Sequence, residues 1–142
     1  MTGYYLNPEV TAETLVDGWV RSGDLGMTDK DGFLYIVGRK KDLIIRGGAN
    51  VYPVDVEEAL YTHNEVAECA VIGKPDETFG EIVKAYVVRK QPGLSTEALI
   101  AHCKTKLADY KVPNEIEFID ELPKGPTGKV LRRELREMSA RG

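Results

Sequence analysis

Three segments of this 142-residue chain set glycine beside charge, a pairing that lets backbone approach a charged or polyhydroxyl ligand closely. The first is Trp19-Val20-Arg21-Ser22-Gly23-Asp24. An aspartate after a Ser-Gly step has two oxygens to accept a pair of hydroxyl donors, such as a ribose diol. The same residues also suit an ordinary turn aspartate. The second runs from Gly38 to Asn50, with a basic cluster, Arg39-Lys40-Lys41, followed by the paired glycines Gly47 and Gly48. Paired glycines permit positive φ or a close backbone approach to a ligand. A linker followed by a tight turn also fits them, and on these residues alone is the simpler reading. The third is Leu122-Pro123-Lys124-Gly125-Pro126-Thr127-Gly128-Lys129-Val130-Leu131-Arg132-Arg133. It lacks the GxxxxGK[ST] spacing of a phosphate loop. Thr127-Gly128-Lys129 is expected to open the last helix, where Lys129 opposes the helix dipole and gains nothing in stability from its position. That misfit favours a functional lysine.

Other chemistries find no support. No serine, cysteine or carboxylate pair has partners at a recognisable catalytic spacing, and His63 and His102 stand alone as surface or packing residues. Cys69 and Cys103 lie far apart without a CxxC, so they read as buried small apolar residues and no metal site is expected. Twenty-three acidic against 19 basic residues leave a net charge of −4, which offers no global attraction to nucleic acid or anionic membrane. No apolar stretch approaches the roughly 20 residues of a membrane-spanning helix. The start, MTGYYLNPEV, lacks the basic and apolar regions of a secretion signal. A reducing, cytoplasmic setting fits best.

The elements that must position these segments divide near residue 40. Residues 1–40 hold a short polar helix (Asn7 to Leu15), a turn at Asp17-Gly18 and a hairpin turning at Asp31-Gly32 into Phe33–Val37. Their apolar residues are too few to close a core, so the stretch reads as the edge of something larger. Residues 41–142 read as a small α+β domain, a central sheet with helices packed on it. Leu43-Ile44-Ile45 is a strand ended by Gly47-Gly48. Pro53 opens a helix whose inner face is Val56, Ala59 and Leu60. Val66–Ile72 and Ile82–Val88 are strands separated by a polar loop. Ser95 or Thr96 caps a helix bearing Leu99, Cys103 and Leu107. Glu115–Ile119 is a third long strand. The last helix carries Leu131, Leu135 and Met138 on its apolar stripe, with Arg132, Arg133 and Arg136 outside it.

Taken in order, the three segments resemble the adenylate-forming superfamily, which comprises acyl-CoA synthetases, peptide-synthetase adenylation domains and luciferases. GRKKDLIIRGGANVYP and LPKGPTGKVLRREL look most like the C-terminal domain of fatty or aryl acyl-CoA ligases. The resemblance implies a two-step reaction. A carboxylate attacks the α-phosphorus of ATP to give acyl-AMP and pyrophosphate, and the sulfur of CoA then displaces AMP. The small domain rotates between the steps. By position, Asp24 would hold the ribose hydroxyls, Arg39 would contact the nucleotide, Lys41 would be the hinge and Lys129 the adenylation lysine. Gly47 and Gly48 would admit the pantetheine arm of CoA, with Phe79, Tyr110 and Lys111 near CoA. Some members carry a lysine for the second step where this chain has Ile45, so a lysine-dependent second step does not carry over.

The resemblance further implies that residues 1–40 are the tail of the large N-terminal AMP-binding domain and that 41–142 form the C-terminal lid. ATP and CoA would be substrates, with Mg2+ bound with the large domain. The chain alone is then expected to be inactive, with residues 1–40 disordered, packed on the small domain, or paired with a second copy through the exposed 33–37 strand. Two alternatives remain: a non-catalytic CoA- or nucleotide-binding module, and an adenylation domain acting on a carrier protein.

Overall fold

A computed structural model describes residues 1–141. They fall into two compact units, residues 1–41 and the remainder from Asp42.

The first unit opens with helix α1 (Pro8–Thr14), where Pro8 suits the first turn and the Asn7 side chain accepts the Val10 N–H. Strands β1 (Leu15–Val16) and β2 (Trp19–Val20) form a two-residue hairpin. Its turn residues Asp17 and Gly18 have φ of 51° and 80°, the left-handed pair such a hairpin requires. Strands β3 (Asp24–Thr28) and β4 (Leu34–Arg39) pair antiparallel. Their turn is organised by Asp29, whose carboxylate accepts the N–H groups of Asp31 and Phe33 and the Tyr35 hydroxyl. These donors, Phe33 foremost, hold the Asp29 carboxyl below its ordinary pKa. No residue of this unit is buried, and Trp19, Phe33, Leu34 and Ile36 are largely exposed.

The second unit is an α+β domain built on a five-stranded sheet. Strands β5 (Ile44–Arg46) and β6 (Ala49–Val51) form a hairpin across Gly47-Gly48, followed by helix α2 (Pro53–Tyr61). Strands β7 (Val66–Asp76) and β8 (Gly80–Arg89) form a long antiparallel hairpin. Helix α3 (Thr96–Lys104), capped by the Ser95 hydroxyl, carries the chain over to β9 (Glu115–Phe118). A crossover is what a parallel neighbour needs, and β9 lies parallel to β8. Helix α4 (Arg132–Arg141) completes the unit.

Strand alternation divides the core. Cys69, Val71, Val83, Ala85 and Val87 face one side with Ile44, Val56, Leu60, Leu99 and Cys103. Ala70, Ile72 and Tyr86 face the other with Leu122 and Leu135. Helices therefore cover both faces. Burying a side chain such as Leu60 or Leu135, each 0% exposed, stabilises the fold by about 1.5–3 kcal/mol.

Among the described residues strand β7 pairs only with β8, and side chains satisfy backbone groups along its outer edge. The Tyr61 hydroxyl bonds both the N–H and the carbonyl of Cys69. Glu57 accepts the Val71 N–H, and Arg132 donates to the Val71 carbonyl. These groups hide backbone that would otherwise recruit another strand.

The structure corrects three expectations. The sheet has five strands, because Gly47-Gly48 turns the chain into β6 instead of ending a lone strand. The last helix begins at Arg132, so Thr127, Gly128 and Lys129 lie in the preceding loop. That loop is held by its own bonds, Gly128 N–H to Gly125 O and Gly125 N–H to Lys129 O, both at 2.9 Å. Lys129 is therefore not a first-turn residue opposed by the helix dipole. Lastly, Leu135 and Ser139 form the buried stripe of α4 while Met138 is 41% exposed. Arg132 and Arg136 lie on the packed side, bonded to Glu57 and Asp42.

Candidate functional site

Most of the candidate residues gather at one end of the second unit's sheet. Gly47 and Gly48 form the β5–β6 turn with φ of 56° and 83°, where a side-chain-bearing residue is strained. A Cβ on Gly47 would stand 3.5 Å from the Phe79 ring, whereas one on Gly48 would meet nothing within 4 Å. Gly48 therefore presents bare backbone to its surroundings.

Phe79 belongs to the β7–β8 loop. The Asp76 carboxylate accepts the N–H groups of Thr78 and Phe79, each at 2.9 Å, and Gly80 supplies the positive φ that returns the chain to β8. The loop is bound to the glycine turn by Gly47 N–H donating to Phe79 O at 2.8 Å.

Arg46 completes this end. Its guanidinium donates to the carbonyl oxygens of Tyr110 at 2.8 Å and Asp109 at 3.3 Å. It also lies 5.2 Å from the Phe79 ring centroid. One cation thus joins the glycine turn, the Phe79 loop and the segment carrying Tyr110 and Lys111. Ile45 points the other way and is 51% exposed, as strand alternation requires. Lys111 is paired with Asp55 at 2.6 Å, and that bond foremost raises its pKa. Phe79 and Tyr110 remain 45% and 43% exposed, available to a ligand.

Lys129 is not part of this cluster. Its loop is closed by a bridge between Lys124 and Val130, and Lys124 pairs with Glu68 near the start of β7. Arg46 instead pairs with Gly80, opposite Asp76 at the far end of that strand. Glu68 and Asp76 are eight positions apart on β7, roughly 26 Å at the usual strand rise. The Lys129 loop and the glycine turn therefore occupy opposite ends of one strand. Lys129 is exposed, and among the described residues its ammonium has no ion-pair partner.

In the first unit, Asp24 and Arg39 are cross-strand neighbours joined by an ion pair of 3.3 Å through Asp24 Oδ1. A diol would thus meet a carboxylate already sharing one oxygen with a guanidinium. Lys41 lies at the end of this unit, in the turn Lys40–Asp42.

Several contributors had no signal in the sequence. Arg46, Asp55, Glu57 and Glu68 matter through partners 56 to 75 positions away, and no local pattern marks such pairs. His63 and His102 pack edge to face, and His102 bonds Thr62 and the Ala59 carbonyl. Both cysteines are buried free thiols, which burial pushes up to about 12 for Cys69 and about 11 for Cys103. No helix among the described residues is long and apolar enough to cross a membrane.

Comparison with known proteins gives this geometry a context. Residues 55–129 match the family model of the AMP-binding enzyme C-terminal domain. The chain is 49% identical over 142 residues to a long-chain-fatty-acid–CoA ligase of Salmonella typhimurium, covering 100% of this chain and 25% of the relative. A long-chain-fatty-acid–CoA ligase of Bacillus subtilis is 53% identical over 138 residues, covering 96% of this chain and 25% of the relative. Among solved structures, the o-succinylbenzoate CoA synthetase of Bacillus subtilis, in complex with its acyl-adenylate intermediate, superposes with a TM-score of 0.89 at 40% identity. That match covers 96% of this chain and 28% of the solved one. The chain spans about a quarter of the length of the curated relatives it matches. With the family model matching residues 55–129 and both sequence and fold shared with CoA ligases over nearly the whole chain, the chain belongs to the AMP-binding enzyme C-terminal domain family, the small domain of adenylate-forming CoA ligases.

Proposed function

We propose that this chain is the C-terminal lid of an ATP-dependent acyl-CoA synthetase that adenylates a carboxylic acid, of the fatty class, and then forms its CoA thioester. The observation that supports this reading is the separation of the Lys129 loop from the Gly47-Gly48 turn along β7. A lid serving two steps in turn needs two working surfaces that do not overlap, and the ends of one strand are two such surfaces. The fatty class is supported by the long-chain fatty acid ligases among the relatives.

In the first step Lys129 meets the phosphate oxygens as the acid carboxylate adds to the α-phosphorus. A fixed ammonium there stabilises charge as it grows, worth on the order of a thousandfold in rate at contact distance. Asp24 holds the ribose hydroxyls and Arg39 the nucleotide. Rotation about Lys41 then exchanges the two ends. In the second step the bare backbone of Gly47 and Gly48 lets the pantetheine arm pass, with Phe79, Tyr110 and Lys111 beside CoA. Sulfur adds to the acyl carbon and AMP leaves with the bonding electrons. No group of three or more His, Cys, Asp or Glu side chains among the described residues is arranged to hold a metal ion. Mg2+ would be bound with the large domain, as the family resemblance implies.

Residues 1–40 are the last piece of that large domain, and 41–142 the lid. The absence of any buried residue in the first unit supports this, since such a segment needs a partner to cover Trp19, Phe33 and Ile36. On its own the chain is inactive, and it self-associates through the 33–37 strand edge. A cytoplasmic setting is supported by the two unpaired thiols. The test is to graft the chain in place of the matching quarter of the Bacillus subtilis ligase and assay the half-reactions separately. Lys129→Ala should lose acyl-AMP formation while still converting supplied acyl-AMP to thioester, and Gly48→Leu should do the reverse. Loss of the same half-reaction in both variants refutes the two-surface lid.

A further inference from the structure

The loop that carries Lys129 is gripped on both limbs by carboxylates from distant parts of the chain. Before the lysine, Lys124 Nζ reaches Glu68 Oε1 at 2.6 Å. After it, Arg132 Nη2 reaches Glu57 Oε1 at 2.6 Å. Between the limbs, Leu131 N–H donates to Pro123 O at 2.8 Å and Gly125 N–H to Lys129 O at 2.9 Å. The Lys129 ammonium has no ion-pair partner of its own among the described residues, so its place is set by where the limbs are held.

The two anchors differ in kind. Glu57 is largely buried, with 14% of its side chain exposed, and it also accepts the Val71 N–H at 2.9 Å. Arg132 in turn donates to the Val71 carbonyl, so this pair clamps the first residue of α4 to the middle of β7. Lys124 and Glu68 are 33% and 38% exposed. A pair so open to solvent contributes little to stability, which leaves its role in the fold slight. What it does accomplish is to tie the Pro123–Gly125 limb to a rigid strand across 56 positions of sequence.

We propose that Glu68 and Glu57 are positioning residues for Lys129, each acting through the cation on one limb of its loop. The proposal rests on the reading of Lys129 as the adenylation lysine. It follows from the geometry that freeing one limb lets the ammonium wander from the phosphate oxygens. Displacement of a catalytic group by about 1 Å costs up to roughly 100-fold. The thioester step, served by the other end of β7, does not use this loop.

The test uses the graft described above, with pyrophosphate release for the first half-reaction and conversion of supplied acyl-AMP for the second. Glu68→Gln should slow acyl-AMP formation roughly 10- to 100-fold, chiefly in kcat, and leave the second half-reaction within about twofold. Reversing the pair, Glu68→Lys with Lys124→Glu, should recover most of the loss. Glu57→Gln should show the same split. Adenylation unchanged in both single variants, equal loss in both half-reactions, or no recovery in the reversed pair overturns the proposal. Lys129→Ala, measured alongside, separates the two levels. If it retains adenylation, the role of Lys129 falls and the positioning role with it. If it loses adenylation while Glu68→Gln and Glu57→Gln do not, only the positioning role falls.

Discussion

Gly47 donates its backbone N–H to the carbonyl oxygen of Phe79 at 2.8 Å, joining two turns that lie 32 residues apart in the chain. The bond makes the β5–β6 turn and the β7–β8 loop a single structural unit, and Arg46 extends it to the Tyr110 carbonyl. A turn held in this way keeps its glycine backbone in one conformation while leaving it open to a ligand.

Gly48 should therefore be costly to replace for reasons of backbone alone. At φ of 83° an alanine is strained although its Cβ would touch nothing, so Gly48→Ala should lower stability by about 1 kcal/mol. Urea denaturation of the chain measures this. Gly48→Leu should carry the same backbone strain, since its Cβ likewise meets nothing within 4 Å. Any larger effect of leucine, seen only in thioester formation, then reports a ligand passing the turn.

Arg46→Ala should lower stability by about 2 kcal/mol, since it strips donors from the Asp109 and Tyr110 carbonyls and removes the cation beside Phe79. Arg46→Lys should recover only part of this, because an ammonium cannot reproduce the planar fork of a guanidinium. Thermal denaturation of the two variants gives the comparison, and equal stability of lysine and arginine at this position would contradict the bonding described.

Lys129→Ala should leave stability within about 0.5 kcal/mol of the parent chain, as expected for an exposed side chain without an ion-pair partner. In the graft the same change should cut acyl-AMP formation on the order of a thousandfold. A melting temperature that falls sharply would show the lysine to be structural.

The buried thiols make stability depend on alkaline pH. Burial raises Cys69 from 9.0 to about 12 and Cys103 from 9.0 to about 11. Their contribution is whole below the unfolded value and is lost as pH rises through the folded ones, because the unfolded chain releases these protons first. Lys84 and Lys111, also raised, act in the same direction. Stability should fall between pH 9 and 11, by about 1.4 kcal/mol per unit for each thiol. Cys103→Ala should flatten that slope in denaturation curves taken across the range. At pH 8 both thiols should react slowly with alkylating reagents until the chain unfolds.

Much of this protein is decided by local sequence. Asn7-Pro8 and Ser95 begin helices because their side chains or ring suit the first turn, and both helices start there. Asp17-Gly18 and Gly47-Gly48 make two-residue hairpins because left-handed φ is cheap for these residues. The β-rich runs at residues 66–72 and 82–88 foretold two strands, and both form there. The three glycine-rich segments, read in order, were enough to recognise the family. The start of α4 misled, since Thr127-Gly128-Lys129 has the composition of a helix entry yet is held as a loop by bonds back to Pro123 and Gly125. Likewise, no pattern in 132–136 distinguishes an outward arginine from one bonded to Glu57 or Asp42. Which carboxylate meets which cation depends on where β7 lies relative to α2 and α4. That choice is made by the packing of the whole domain, because charges act through space and the chain's order sets only the nearest neighbours.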